Sequence, residues 1–325
     1  MKVIIQIPCF NESDTLPATV AELPKAIDGV DQIEVLVIDD GSTDGTFEVA
    51  KRLGVHHIVR HKRNRGLAAA FQTGINASLR LGADVIVNTD ADNQYCGADI
   101  AALVAPVVLG DADIVVGDRQ TSTLLEFSWI KRMLQRWGST IIRRIGGVDI
   151  PDSVSGFRAF SADVAVGLNI LSSFSYTTEM LIHAGYRGLN VISVPVRTNR
   201  KTRESRLFRS IPEFIVYSGT TVLRVYTMYH PLRVFCSIGF IFSLVGLMPI
   251  LRFLFFYLLG DSTGHIQSLV IGGTCLSLGA ISMLFGICAD VSARNRQLSE
   301  MILERLIKLD LEKCLTEFPS DDAPL

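Results

Sequence analysis

Asp90 and Asp92 stand one residue apart in the stretch Asn88-Thr89-Asp90-Ala91-Asp92-Asn93-Gln94-Tyr95. On an extended segment their side chains point the same way. Two carboxylates so placed repel each other unless a cation lies between them. Hard oxygen donors suit Mg²⁺ or Mn²⁺, with diphosphate oxygens filling the remaining positions. Gln94 lies on the same alternation and offers a neutral oxygen. A lone Asp-x-Asp is more often a solvated acidic turn, but the preceding residues argue otherwise. Ala83 to Val87 is a mostly apolar run that suits a parallel strand covered on both faces. In open α/β sheets, ligands bind outside the carboxyl ends of such strands.

Other strand ends carry similar polar clusters. Val3 to Pro8 is a β-branched strand, followed by the turn Pro8-Cys9-Phe10-Asn11-Glu12 and a helix that Ser13 or Asp14 can cap. Ile33 to Ile38 is a second buried strand, ending in Asp39-Asp40-Gly41-Ser42-Thr43-Asp44-Gly45-Thr46. For Ser42 and Asp44, turn and cap chemistry is the favoured reading. His61-Lys62-Arg63-Asn64-Arg65-Gly66 precedes a helix from about Ala69 to Leu81, and Ile114 to Arg119 is a further strand. This alternation predicts a doubly wound α/β domain with a mainly parallel sheet. Ser155-Gly156-Phe157-Arg158 reads as a turn before a helix, and Glu179 as a carboxylate near a helix start. Val191 to Val196 reads as an edge strand because of Pro195.

The net charge of −2 gives no general affinity for nucleic acid, and none is expected as a partner. Six scattered cysteines without a Cys-x-x-Cys pair argue against a zinc site or disulfide framework and suit a reduced compartment. Met1 to Ile5 lacks the pattern of a signal peptide. The mean hydropathy of +0.34 is high, and the excess lies after Pro231. Val234–Leu259, interrupted by Arg252, and Ile266–Ala289 are each about long enough to cross a ~30 Å hydrocarbon core. The linker between them is short, which makes a hairpin. Arg224 and Arg233 on one flank, and Arg294, Arg296 and Arg305 on the other, put both termini and the α/β domain in the cytoplasm. The expected division is an α/β domain over 1–210, an amphipathic juxtamembrane segment over 211–232, a membrane hairpin over 233–290 and an amphipathic tail over 291–325. The tail helix, Leu298 to Leu311, either lies on the membrane or pairs with another subunit in a homo-oligomer. Trp129 to Arg144 is a basic amphipathic stretch, read either as a solvated helix face or as a helix at the lipid interface.

Four motifs in order, Ile7-Pro8-Cys9-Phe10-Asn11-Glu12, Val37-Ile38-Asp39-Asp40-Gly41-Ser42, Asn64-Arg65-Gly66 and Asp90-Ala91-Asp92, resemble the family 2 glycosyltransferases of the GT-A fold. With Gly117-Asp118-Arg119, Ser155-Gly156-Phe157-Arg158 and the hydrophobic hairpin, the chain is most similar to the polyprenyl-phosphate glycosyltransferases. The resemblance implies transfer of a sugar from a nucleotide-sugar, UDP-linked in preference to GDP-linked, to undecaprenyl or dolichyl phosphate. It places Pro8, Phe10, Glu12 and Asp39 on the nucleoside, with Asn64 and Gly66 closing over the nucleotide. Asp90, Ala91 and Asp92 would lie at the diphosphate, with Asp90, Asp92 and Gln94 holding Mg²⁺ or Mn²⁺. Arg119 would reach the phosphates or the acceptor. Arg203 and Arg206 would fold onto the diphosphate from a basic loop. Lys131, Arg132, Gln135, Ser155 and Arg158 would receive the lipid phosphate. Asp92, Arg119 and Glu179 would be catalytic, Glu179 either as the base of related enzymes or as a residue orienting the sugar hydroxyls.

Rival classes fit less well. A polysaccharide synthase acting on a saccharide acceptor needs Gln-x-x-Arg-Trp after the catalytic acid. Arg136-Trp137 lies before Glu179 and has Met133 at the Gln position. No Gly-x-Gly-x-x-Gly follows the first strand, which excludes a dinucleotide dehydrogenase. A transporter would need charge inside the spans, and only the terminal Arg252 is there.

Overall fold

The computed structural model describes residues 1–120, 147–168, 170, 176–199, 219–220, 223–224, 226–260 and 266–317. It divides into two units, Met1–Phe214 with Leu303–Leu325, and Ile215–Ile302.

The first unit is built on a seven-stranded sheet. Its strands are β1 (Lys2–Cys9), β2 (Gln32–Asp39), β3 (His57–Arg60), β4 (Val85–Asn88), β5 (Ile114–Asp118), β6 (Arg158–Ser161) and β7 (Val191–Pro195), in the order β3-β2-β1-β4-β6-β5-β7. All pairings are parallel except those of β6, which runs antiparallel to both β4 and β5. Helices α1 (Leu16–Ala21), α2 (Thr46–Arg52), α3 (Leu67–Arg80), α4 (Ile100–Val108), α5 (Ala162–Gly167) and α6 (Tyr176–Arg187) join and cover the strands. β1 is central, and Val3, Ile4, Ile5 and Ile7 on its two faces are all fully buried. That is why it reads as a continuous apolar run. In α3 the buried Ala68, Phe71, Ile75 and Leu79 recur at three- and four-residue spacing, one face of a helix laid on the sheet.

The expected parallel strands are present, and Pro195 does lie in the edge strand. Two strands differ from expectation. β3 is a four-residue strand with no buried residue, so no apolar run marked it. β6 begins at Arg158, where a turn leading to a helix was expected. Its pairing partners lie 70 and 42 residues upstream in register, Asn88↔Arg158 and Val116↔Arg158, and local sequence cannot report them.

The second unit contains α7 (Pro231–Leu258) and most of α8 (Ile266–Glu317). Both are long and apolar enough to cross a membrane, with best-window mean hydropathies of 2.3 and 1.9. Pro231 sits in the first turn of α7, where its missing N–H costs nothing. Small residues bring the two helices together. A Cβ on Gly239 would lie 2.7 Å from the Gly279 carbonyl, and one on Gly246 would lie 2.8 Å from the Gly272 carbonyl. α8 runs unbroken from the second apolar run into the amphipathic tail. No glycine or proline between Gly286 and Glu317 interrupts the hydrogen-bond ladder.

Candidate active site

One rim of the sheet collects the motifs. β1, β2 and β4 are parallel, so their carboxyl ends lie together at Pro8–Glu12, Asp39–Ser42 and Thr89–Asp92. The chain order reverses between β1 and its neighbours β2 and β4, a crevice where open α/β sheets bind ligands. Antiparallel β6 brings the opposite end of its strand to that rim, so Ser155-Gly156-Phe157 meets Asp90. β5 ends there at Asp118, followed by Arg119. Asn11 and Asn93, each just beyond a strand end, take left-handed backbone conformations with φ of 54° and 55°. Asparagine tolerates that conformation better than most side chains.

At the β2 end, Asp40 acts as a clamp. Its Oδ1 accepts from the Arg65 amide at 2.9 Å and lies 2.6 Å from His61 Nδ1, while Oδ2 accepts from the Gly66 amide at 2.8 Å. The Asn64-Arg65-Gly66 turn is thereby fixed over Gly41. A Cβ on Gly41 would fall 2.5 Å from the Arg63 carbonyl carbon, so only glycine allows this approach. Asp39 is fully buried. Its Oδ1 accepts from the Ser42 amide, while Oδ2 faces Arg60 Nε at 3.0 Å without hydrogen-bonding alignment. Ser42 accepts from the Asn11 amide, and Asp44 accepts from Thr46 and Ser13, the turn and cap roles expected of them. Glu12 is buried and accepts from Thr15 Oγ1 at 2.8 Å, while Phe10 and Asn64 stand exposed at the rim. Pro8 is buried at the strand end, and the Ala91 carbonyl accepts from Thr19 Oγ1.

Burial, and then repulsion from Asp92, raise the Asp90 carboxyl to a pKa of about 7, against partial relief from Arg119. Gly156 is what lets the β6 turn approach this acid. A Cβ there would lie 3.1 Å from Asp90 Oδ1 and 2.9 Å from the Tyr176 hydroxyl. Asp92 Oδ1 accepts from the Gln94 amide at 3.2 Å, so the contact between these two runs through the Gln94 backbone. The Gln94 carbonyl accepts from the Asn199 amide, and Tyr95 bridges to Thr198. That ties the acidic stretch to Thr198 and Asn199. Among the described residues, no three His, Cys, Asp or Glu side chains converge as a metal cage. Two like-charged oxygen donors with one proton affinity raised by the other do suit a divalent cation that takes its other ligands from a phosphorylated substrate.

Arg119 donates through Nε and Nη2 to the buried Asp152 at 2.7 and 3.0 Å. Burial opposes its charge, but Tyr95, Asp152 and Asp90 together raise its pKa above the ordinary value. Ser155 is fully buried beside Tyr95, and its Oγ has no well-aligned hydrogen-bond partner. Arg158 was expected at the lipid phosphate. It is fully buried, and its guanidinium donates to the carbonyls of Ser155, Thr177 and Ser153 at 2.8, 2.8 and 2.9 Å. Burial lowers its pKa to about 10. It joins the turn before β6 to the first turn of α6, where Glu179 is buried.

Sequence reading missed the layer below. Gln6 Nε2 donates to Asn88 Oδ1 at 3.0 Å, and Asn88 Nδ2 donates to the Gly156 carbonyl at 2.8 Å and to the Tyr176 hydroxyl at 3.2 Å. Tyr95 accepts from the Gly156 amide and stacks on Phe157. The signal was present as two amides, Gln6 and Asn88, inside otherwise apolar strands. Buried amides need partners. Asp152 carried no such signal. Lys131, Arg132, Gln135, Arg203 and Arg206 lie outside the described residues.

Residues 4–167 match the family model described as "Glycosyl transferase family 2", half of the chain. The chain belongs to this family. A polyprenol monophosphomannose synthase of Mycolicibacterium smegmatis is 29% identical over 63% of this glycosyltransferase and 81% of the relative. A UDP-N-acetylglucosamine–dolichyl-phosphate N-acetylglucosaminyltransferase of Methanococcus voltae is 28% identical over 60% and 85%. The crystal structure of glucosyl-3-phosphoglycerate synthase from Mycobacterium tuberculosis with Mn²⁺, UDP and phosphoglyceric acid superposes with a TM-score of 0.53. It is 20% identical, with 69% of this chain and 78% of that one covered. The glycosyltransferase thus has the GT-A fold, followed by two helices that are candidate membrane spans.

Proposed function

We propose that this glycosyltransferase moves a hexose or N-acetylhexosamine, with inversion, from a nucleoside-diphosphate sugar to a polyprenyl phosphate at a membrane. The observation that carries the reading is the meeting of Asp90, Asp92 and Arg119 at the sheet rim of a chain that also bears two candidate spans. The relatives' acceptors, polyprenol and dolichyl phosphate, support the lipid. A UDP-sugar is the favoured donor, undecaprenyl or dolichyl phosphate the acceptor.

In the reaction a phosphate oxygen bonds to the sugar's anomeric carbon as the bond to the diphosphate breaks. The leaving group carries off the electron pair. Asp90 and Asp92 would hold Mg²⁺ or Mn²⁺, and when bound such an ion supplies charge neutralisation at the diphosphate. Gln94 remains a candidate third ligand. Arg119, fixed in orientation by Asp152, adds positive charge beside the acidic pair. Asp39, with a buried carboxylate oxygen lacking a hydrogen bond, is suited to a nucleoside N–H or hydroxyl. The acceptor phosphate is already an anion at neutral pH, so the step needs no strong base. Glu179, in the first turn of α6, is therefore assigned to the sugar hydroxyls. Ser155 remains a candidate on the acceptor side, its hydroxyl buried beside Tyr95. The basic residues flanking the spans support a cytoplasmic catalytic unit and cytoplasmic termini.

Radiolabelled UDP- and GDP-sugars, offered with undecaprenyl or dolichyl phosphate in detergent and Mn²⁺, should yield an acid-labile, lipid-soluble product. A protein that binds sugar nucleotides but glycosylates only a soluble saccharide would overturn the assignment of the acceptor.

A further inference from the structure

The stretch that carries Asp90 and Asp92 is tied at both ends to one residue of another strand's turn. Before the acids, Asn88 Nδ2 donates to the Gly156 carbonyl at 2.8 Å. After them, the Tyr95 hydroxyl accepts from the Gly156 amide at 3.3 Å. The chain thus leaves β4 at Asn88, passes both acids and comes back at Tyr95 to the same glycine.

Both ties are set by their surroundings. Asn88 is wholly buried, and its amide is fully used. Oδ1 accepts from Gln6 Nε2, and the second Nδ2 hydrogen goes to the Tyr176 hydroxyl. That fixes which way the amide points. Tyr95 is buried and stacks on Phe157, the residue after Gly156, with ring centroids 4.8 Å apart. Gly156 in turn presses on the first acid. The point where its Cβ would lie is 3.1 and 3.2 Å from the two Asp90 carboxylate oxygens, so the turn walls one side of that group. From the α1 side, Thr19 Oγ1 donates to the Ala91 carbonyl at 3.1 Å, between the two acids. The exit is also paired with the backbone of Arg197 and Asn199. A loop without such ties would have to be ordered by its ligand, and fixing the backbone of one residue costs about tenfold in affinity.

We propose that Asn88 and Tyr95 are positioning residues for the divalent ion. Acting through Gly156, they hold the acidic loop in its ion-binding shape before the ion arrives. The inference rests on the reading of Asp90 and Asp92 as the groups that hold Mg²⁺ or Mn²⁺.

Electron paramagnetic resonance of free Mn²⁺, titrated into the full chain in detergent with UDP present, tests this. Tyr95→Phe removes one oxygen and keeps the ring, and should weaken Mn²⁺ binding by about tenfold. Its transfer activity should recover at saturating Mn²⁺. Asn88→Leu should weaken binding at least as much. The double variant should lose less than the product of the two single losses, because both ties end on Gly156. Ile75→Val, which loosens the packing of α3 away from the rim, should keep native Mn²⁺ affinity. Native affinity in Tyr95→Phe, losses that multiply in the double variant, or an equal loss in Ile75→Val overturns the proposal. Should Asn88→Leu fail to fold, Tyr95→Phe against Ile75→Val decides. A native chain that binds no Mn²⁺ beside UDP sinks the reading of the acidic pair itself, whereas native-like binding by Tyr95→Phe sinks only the positioning role.

Discussion

The sheet rim and the helical pair both depend on glycine for close approach, but to different partners. At the rim, Gly156 admits the Asp90 carboxylate and the Tyr176 hydroxyl, and Gly41 admits the backbone of Arg63 and Asn64. Between α7 and α8, Gly239, Gly246, Gly272 and Gly279 admit the other helix's backbone carbonyls. Apolar residues show the same contrast. Ile4, Ile5 and Ile86 are wholly buried in the first unit, whereas Met248 and Leu258 on α7 are about three-quarters exposed, at 75 and 76%. The first unit excludes solvent from its inside and concentrates its polar groups at one edge. The second covers its backbone by helix formation and leaves its side chains for a hydrocarbon solvent. A loss of space at the rim should therefore damage chemistry, and the same loss between the helices should damage assembly.

The largest expected effect is at the acidic pair. Asp90→Asn or Asp92→Asn should lower transfer by about a thousandfold while the protein still folds, as loss of metal-centred charge stabilisation usually does. Retained activity with either variant would break the assignment of the rim as the reacting centre. Arg158→Met should instead act on stability. It leaves three buried carbonyls without a donor, and denaturant unfolding of the catalytic unit should show a loss of about 3–5 kcal/mol. If stability is unchanged and only the KM for lipid rises, Arg158 belongs with the acceptor after all.

Gly279→Ala sharpens the other half of the comparison. The added Cβ would come within 2.6 Å of Ser243 Oγ and 2.8 Å of the Gly239 carbonyl. Thermal stability in detergent should fall by about 1–3 kcal/mol, with nucleotide-sugar binding by the catalytic unit unchanged. The smallest effect is in pH. With the Asp90 pKa at about 7, proton and metal compete, so Mn²⁺ affinity should fall up to about tenfold per pH unit below 7. The folded-state pKa lies above the unfolded value of about 3.8. Asp90 protonation therefore stabilises the metal-free fold at low pH, and that contribution is lost as pH rises through 7. Melting temperatures across pH 5–8 should show this loss without Mn²⁺, and Mn²⁺ should offset it at the upper end. A flat profile would mean that burial and Asp92 do not raise the Asp90 carboxyl.

The linear chain by itself determined what depends on near neighbours. The β-branched runs of β1, β2 and β4, the Pro195 edge strand and the two apolar runs past Pro231 are all legible, because strand, turn and span preferences act over a few residues. So is the one-residue spacing of Asp90 and Asp92 after an apolar run. The tertiary structure decided the rest. Arg158 looked like a ligand because a charged residue beside Gly-Phe reads as exposed, yet it is buried between the carbonyls of Ser153 and Ser155 in the preceding turn and that of Thr177, which only the fold brings to it. Asp152 meets Arg119, 33 residues away, only because the fold sets the two together. Gln6 and Asn88 are 82 residues apart and meet only because β1 and β4 pair side by side. Local preference acts through the backbone of adjacent residues, whereas burial and pairing depend on which distant segments share the same space.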